Sequence, residues 1–228
     1  MDRADVAKML GTMMAIAWIL FGMMLIIRLT AGDGGYLGAE MLRHTKPEYT
    51  GLPEAEYPGM GNMIAGYLTR RIPEFQYEFT DTSGRTVTCF HDYEGAHMAD
   101  CRELIRMAEA AAVATGSLAL FLLVMGFVAA KDRRSWFRGM ILGIRIVLGA
   151  AAVLAIWAVS DFNGFFTTFH RIAFTNDGWL LNPWTDMLIR LMPTEFFISL
   201  GIRGAWLALI APVVLEITAR FGLKATKR

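Results

Sequence analysis

Two stretches of this chain, Met9–Ile27 and Ala110–Ala130, contain no charged residue, and Gly139–Ser160 and Phe196–Leu215 contain one each, Arg145 and Arg203. A helix crosses a ~30 Å hydrocarbon core with ~20 apolar residues at ~1.5 Å each. Runs of this length leave a water-soluble fold little room, so the chain is read as an α-helical integral membrane protein with four transmembrane helices, at 9–27, 110–130, 139–160 and 196–217. The small residues of "LTAG" after the first run invite a reading as a cleaved secretory signal, but its 19 uncharged residues exceed the ~7–15 of a signal core. Arg145 and Glu216 lie near cytoplasmic ends, where they are expected to snorkel or pair.

Orientation follows from Lys and Arg in the short connections. The 131–138 loop, "KDRRSWFR", carries Lys131, Arg133, Arg134 and Arg138, and the 218–228 tail adds Arg220, Lys224, Lys227 and Arg228. Both are assigned to the cytoplasm, together with residues 1–8, which sends 28–109 and 161–195 outward. The formal net charge of +1 hides this asymmetry.

Segment 28–109 changes pattern along its length and is read as a small extracellular α+β cap between the first and second spans. Its first half is studded with Gly and Pro and is expected to hold mostly turns and short helical pieces. "GNMIAGYLTRR" then places Met63, Ile64, Tyr67 and Leu68 at helical spacing ahead of Pro73. "FQYEF" alternates Phe75, Tyr77 and Phe79, "TDTSGR" has turn chemistry, and "TVTCF" alternates Val87 with Cys89, together a hairpin pattern. From Glu94 the period is helical again, with Met98, Cys101, Leu104, Ile105 and Ala108 on one face.

Several residues carry candidate chemistry. Cys89 and Cys101, both outward, can close a disulfide around His91, Glu94 and His97; alternatively Cys101, one turn after His97, is a nucleophile activated by it. Glu94 and His97 form a single Glu-x-x-His, which with His91 and Asp92 suggests zinc, but the spacing matches no closed zinc pattern and no metal is assigned. His44 and His91 are read as solvated. In 161–195, an aromatic-rich loop or interfacial helix, Phe162, Phe165, Phe166, Phe169, Phe174, Trp179 and Trp184 crowd around His170. A membrane-interface belt explains part of this, but not a His-Arg pair set between phenylalanines, because burial disfavours charge unless it is used or paired. Arg203, inside the fourth span, is a functional candidate by position, contacting a substrate or pairing with a carboxylate such as Glu195 or Asp161.

"EGAHMAD" at the approach to the second span and "FFTTFHRIAF…W…NPWTDMLIRLMPTEFF" ahead of the fourth resemble the lipoprotein intramolecular transacylases, or Lit family, of Gram-positive bacteria, over nearly the whole chain. The resemblance implies four spans under an extracellular cap, with two catalytic histidines at the boundary of cap and membrane. By motif position these are His97 and His170. Cys101 departs from the aliphatic residue of the family pattern. The implied reaction moves the sn-2 acyl chain of an S-diacylglyceryl cysteine onto that residue's own α-amine, leaving a lyso-form lipoprotein.

The residue types suit that chemistry. An α-amine of pKa ~7.7–8.0 must lose a proton to attack an ester, and the departing glyceryl oxygen must gain one. Histidine serves either role, each contributing typically ~10²–10⁴ in rate. Ester to amide is favourable, so no cofactor is expected; a dry aromatic pocket of Phe166, Phe169, Trp179 and Trp184 would exclude water. Arg203 joins these as a substrate contact, and Glu94 either holds the substrate ammonium, orients His97 or caps its helix. The expected partners are a diacylated bacterial lipoprotein and membrane lipid, with no nucleic acid, and the chain is expected to act as a monomer in the plasma membrane. A metal-dependent membrane hydrolase and a non-enzymatic protein whose cap binds a partner stay open. A straight helix from His97 would lift it about 20 Å above Ala110, so residues 98–109 are expected to bend or lie along the interface.

Overall fold

In the computed structural model, which describes residues 2–81, 83–128 and 132–226, nearly all regular structure is helical. Four stretches are long and apolar enough to cross a membrane: α1 (Arg3–Ala31), α5 (Asp92–Val128), α6 (Arg133–Ser160), and α9 (Thr194–Ala208) with α10 (Ile210–Ala225). The last pair is interrupted at Leu209, three residues before Pro212, whose missing N–H and bulky ring disfavour a continuous helix. Lys131, Lys227, Arg228 and the end of the second expected span, at 129–130, lie outside the described residues.

The chain forms two compact units. One comprises Met1–Ile26, Glu109–Thr168 and Ala205–Arg228. Its core gathers Met14, Ala15, Ile19, Leu122, Trp136, Met140, Ile144 and Leu215. Helices α1 and α6 approach until their backbones nearly touch: a Cβ on Gly139 would stand 2.0 Å from the Lys8 carbonyl oxygen, and one on Gly11 2.2 Å from that of Trp136. Such contact between small residues is how helices associate where burying apolar surface supplies no driving force. Val128, Val153, Ile156, Val159 and Trp206 are exposed. Spans apolar all round match a lipid surround, in which every backbone polar group must be satisfied within the helix.

The second unit comprises Ile27–Ala108 and Phe169–Gly204. The Gly-rich stretch, expected to hold mostly turns and short helical pieces, is more helical than that: it opens with an 11-residue helix, α2 (Gly34–His44), followed by α3 (Pro47–Thr50), a 3-10 turn at Glu54–Glu56 and α4 (Tyr57–Leu68). Its glycines serve close packing: a Cβ on Gly61 would lie 2.3 Å from the Gly34 carbonyl oxygen, and one on Gly38 2.5 Å from that of Tyr57. Helix α4 ends with Arg70 left-handed at φ 60. The hairpin is present but short, β1 (Glu78–Thr80) and β2 (Thr86–Thr88), with Phe79 paired to Val87 and Asp81 accepting from the amides of Ser83 and Arg85. Met41, Leu52, Tyr57, Met60, Ile64, Leu191 and Phe196 are fully buried in this unit's core.

Residues 98–109 continue α5 without interruption, and no proline or glycine stands between Gly95 and Gly116. The outward segment near the end of the chain forms α7 (Phe162–Ala173), turns over 174–186, and α8 (Met187–Leu191).

Candidate active site

Helix α5 begins with a capping arrangement. Glu94 sits at the third helical position and its Oε2 accepts from the His91 amide at 2.8 Å, as in a capping box. Its Oε1 accepts from the amide of Leu188, at the start of α8, at 2.7 Å. Glu94 is fully buried. A carboxylate so enclosed, with both oxygens on backbone amides, is a clamp between two helix starts and presents no oxygen to a ligand.

One turn on, His97 is 8% exposed and His170, from α7, 7%. His170 is the buried residue of an amphipathic helix that leaves Phe169 and Ile172 exposed. The two imidazole centroids are 6.2 Å apart with planes inclined at 31°. Phe174 packs on both, edge-on to His97 at 5.1 Å and tilted against His170 at 5.4 Å. Trp179 lies 5.0 Å from His170, and Phe169 meets it edge-on at 5.4 Å.

The segment of α5 before Glu109 is rich in ionisable residues and lies outside the apolar run. There, burial drives the His97 pKa down to about 4, with the neighbouring His170 adding to the shift and Asp100 opposing it. His97 is therefore neutral at physiological pH. Its Nδ1 is buried and has no hydrogen-bond partner among the described residues. Its Nε2 stands 3.6 Å from the Cys101 sulfur.

The 174–186 turns are tied to α5 by side chains. Asp186, buried, accepts from the Tyr93 hydroxyl at 2.6 Å, the Thr185 hydroxyl at 2.6 Å and the Asn182 amide at 2.7 Å. Asn176 Nδ2 donates to Asp100 Oδ2 at 2.9 Å.

Five expectations change. Cys89 and Cys101 are free thiols rather than a disulfide: Cys89 packs in the cap core, whereas the Cys101 sulfur faces His97. As a nucleophile Cys101 is poorly placed, since burial pushes its pKa up to about 12 and holds it as the thiol. Trp184 is not part of the aromatic wall but 83% exposed on a turn closed by Asn182 and Asp186. The carboxylate partner of Arg203 is Asp33, at 2.8 Å, not Glu195 or Asp161, and its guanidinium lies 3.7 Å over the Tyr36 ring. His44 is not simply solvated but bonded to the buried Glu40 at 3.2 Å.

Phe166 stacks on Phe162 at 5.8 Å. Among the described residues no group of three or more His, Cys, Asp or Glu is placed to hold a metal ion. Sequence reasoning missed the bridging position of Phe174 and the Asp100–Asn176 bond. Asp100 had a signal, lying three residues after His97 on one helix; nothing in the sequence marked Asn176.

Two imidazoles side by side, walled by rings, can take a proton from one group and pass one to another while excluding water. A family model for the lipoprotein intramolecular transacylase Lit matches residues 12–197. A search of curated proteins returns no match. The membrane-integral lipoprotein intramolecular transacylase Lit from Bacillus cereus shares the fold at a TM-score of 0.72 and 15% identity, with 98% of this chain and 97% of that one covered. Two variants of that protein with a substituted histidine also align, at TM-scores of 0.67 and 0.64 and 16% identity, each over 98% of this chain and over 93% and 95% of their own. At such identity these likenesses speak for the fold, and the family match, spanning most of the chain, carries the assignment: this chain belongs to the Lit family of lipoprotein intramolecular transacylases.

Proposed function

We propose that His97 and His170 are the acid–base pair for an intramolecular O-to-N acyl shift on a diacylated lipoprotein. The observation that carries this reading is the pairing of two buried imidazoles, from helices far apart in sequence, against the shared face of Phe174. The attacking α-amine gives a proton to neutral His97 as its C–N bond to the sn-2 acyl carbon forms. The departing glyceryl oxygen takes a proton from His170 as the C–O bond breaks. Transfer of a proton from His97 to His170 resets the pair.

Phe169, Phe174 and Trp179 are the water-excluding wall, and Glu94 and Asp186 position it. Arg203 is assigned to holding the α2 start through Asp33, its Nη1 being the atom left for a substrate carbonyl. Both termini and Arg133, Arg134 and Arg138 lie on the cytoplasmic side, with residues 28–109 and the histidine pair outward. Exposed Trp184 is suited to the membrane interface. The protein acts as a monomer within membrane lipid.

A crossover experiment tests the reading. Purified protein is given a mixture of two lipopeptides, one isotopically labelled in the peptide and the other in the sn-2 chain. Intramolecular transfer predicts that no N-acyl product carries both labels, with chelator without effect. Mixed-label products, or free fatty acid whose release stops with chelator, would replace it with intermolecular transfer or metal-dependent hydrolysis.

A further inference from the structure

We propose that Asp100 is the binding site for the substrate's α-ammonium group, resting on the transacylase reading above. Most of the amine is cationic near neutrality, so it arrives as the ammonium, loses one proton to bulk water to become the nucleophile, and gives a second to His97 as the C–N bond forms. A cation approaching a buried, neutral imidazole needs a carboxylate beside it. Glu94 does not supply one, because it is enclosed and both its oxygens hold backbone amides. Asp186 is likewise occupied by Tyr93, Thr185 and the Asn182 amide.

Asp100 differs on each count. It lies three residues beyond His97, on the same helical face, and is close enough for its charge to act on the His97 titration. It is only partly buried. Asn176 holds its Oδ2 in place at the exposed rim, leaving Oδ1 with no hydrogen-bond donor among the described residues. A second observation accompanies it: His97 Nδ1, on the residue one turn away, is a buried polar atom with no hydrogen-bond partner among the described residues. A primary ammonium bonded to Asp100 can offer another N–H to His97. Its peptide would then leave toward solvent past Asn176, which matches a substrate whose protein portion lies outside the membrane.

The test is steady-state kinetics on a synthetic diacylglyceryl lipopeptide with a free α-amine, with its N-acetylated analogue as a competitive inhibitor. Asp100→Asn keeps an acceptor for Asn176 but loses the charge. It is expected to raise KM roughly 10- to 100-fold with little change in kcat, and to leave inhibition by the N-acetylated analogue unchanged, which also verifies folding. Asn176→Ala, which frees the carboxylate but keeps its charge, is expected to raise KM several-fold less than Asp100→Asn does, and Asp100→Glu to recover part of the KM loss. An unchanged KM in Asp100→Asn, an equal loss in Asn176→Ala, or equally weakened binding of the acetylated analogue would overturn the assignment. An inactive wild type would instead sink the transacylase reading itself.

Discussion

Glu94→Gln separates a clamp from a substrate contact. The carboxylate accepts two backbone N–H bonds, from His91 and Leu188, in a site with no solvent access. Glutamine has nearly the same shape but a single acceptor atom, so one amide loses its partner and meets an N–H₂ donor instead. A hydrogen bond to a buried charge contributes about 1.5–3 kcal/mol, and a buried donor left unsatisfied costs about 1–3; the terms overlap, giving a loss of about 2–4 kcal/mol. For a chain of this size each kcal/mol shifts Tm by about 2–4 °C, so the variant should unfold roughly 4–16 °C below wild type. The assay is thermal unfolding in detergent, followed by the near-ultraviolet signal of the ring cluster, with KM measured well below the transition. The clamp predicts the Tm loss with KM nearly unchanged. An unshifted Tm with a KM raised tenfold or more would refute it and make Glu94 the ammonium site.

Cys101→Ala is expected to retain transfer to within a few fold, since a thiol held protonated is no nucleophile; complete loss, with an acyl-enzyme detected in wild type, would restore the cysteine mechanism. The His97 pKa falls from about 6.5 unfolded to about 4 folded, so the unfolded chain binds the extra proton as pH drops through that window. Stability should therefore be lost between about pH 6.5 and 4, on the order of 3 kcal/mol in all, and His97→Gln should flatten that slope in a series of denaturation curves. Gly139→Ala should abolish or sharply reduce folded protein, because its methyl would overlap the Lys8 carbonyl; normal yield and Tm would mean that α1 and α6 separate at little cost.

The four long helices were legible because apolar runs of such length have few alternatives in a folded chain, and the Pro212 interruption was the detail they hid. The short hairpin was legible from alternation and turn residues. Helix α2 was not: Gly34 and Gly38 read as turn formers, and only the approach of α4 shows why a helix needs them. The histidine pair was accessible through its motifs, but its setting was not. Phe174 gave no more signal than the other phenylalanines near it, and Trp184, in an equally aromatic context, points outward. Contacts made across some 80 or more residues, such as Glu94 with Leu188, Tyr93 with Asp186 and Arg203 with Asp33, leave no trace in local spacing. The position of Glu94 in the first turn of α5 did show in the sequence, and that is where its capping role lies.

The most direct measurement of the central claim is mass spectrometry of the N-terminal lipopeptide from a diacylated lipoprotein co-expressed with wild type, His97→Gln or His170→Gln, with membrane abundance of each variant matched. The account predicts an unchanged total acyl count, with one chain moved from glycerol to the α-amine in wild type and left on glycerol in both variants. Transfer that persists in either variant would contradict a two-histidine mechanism.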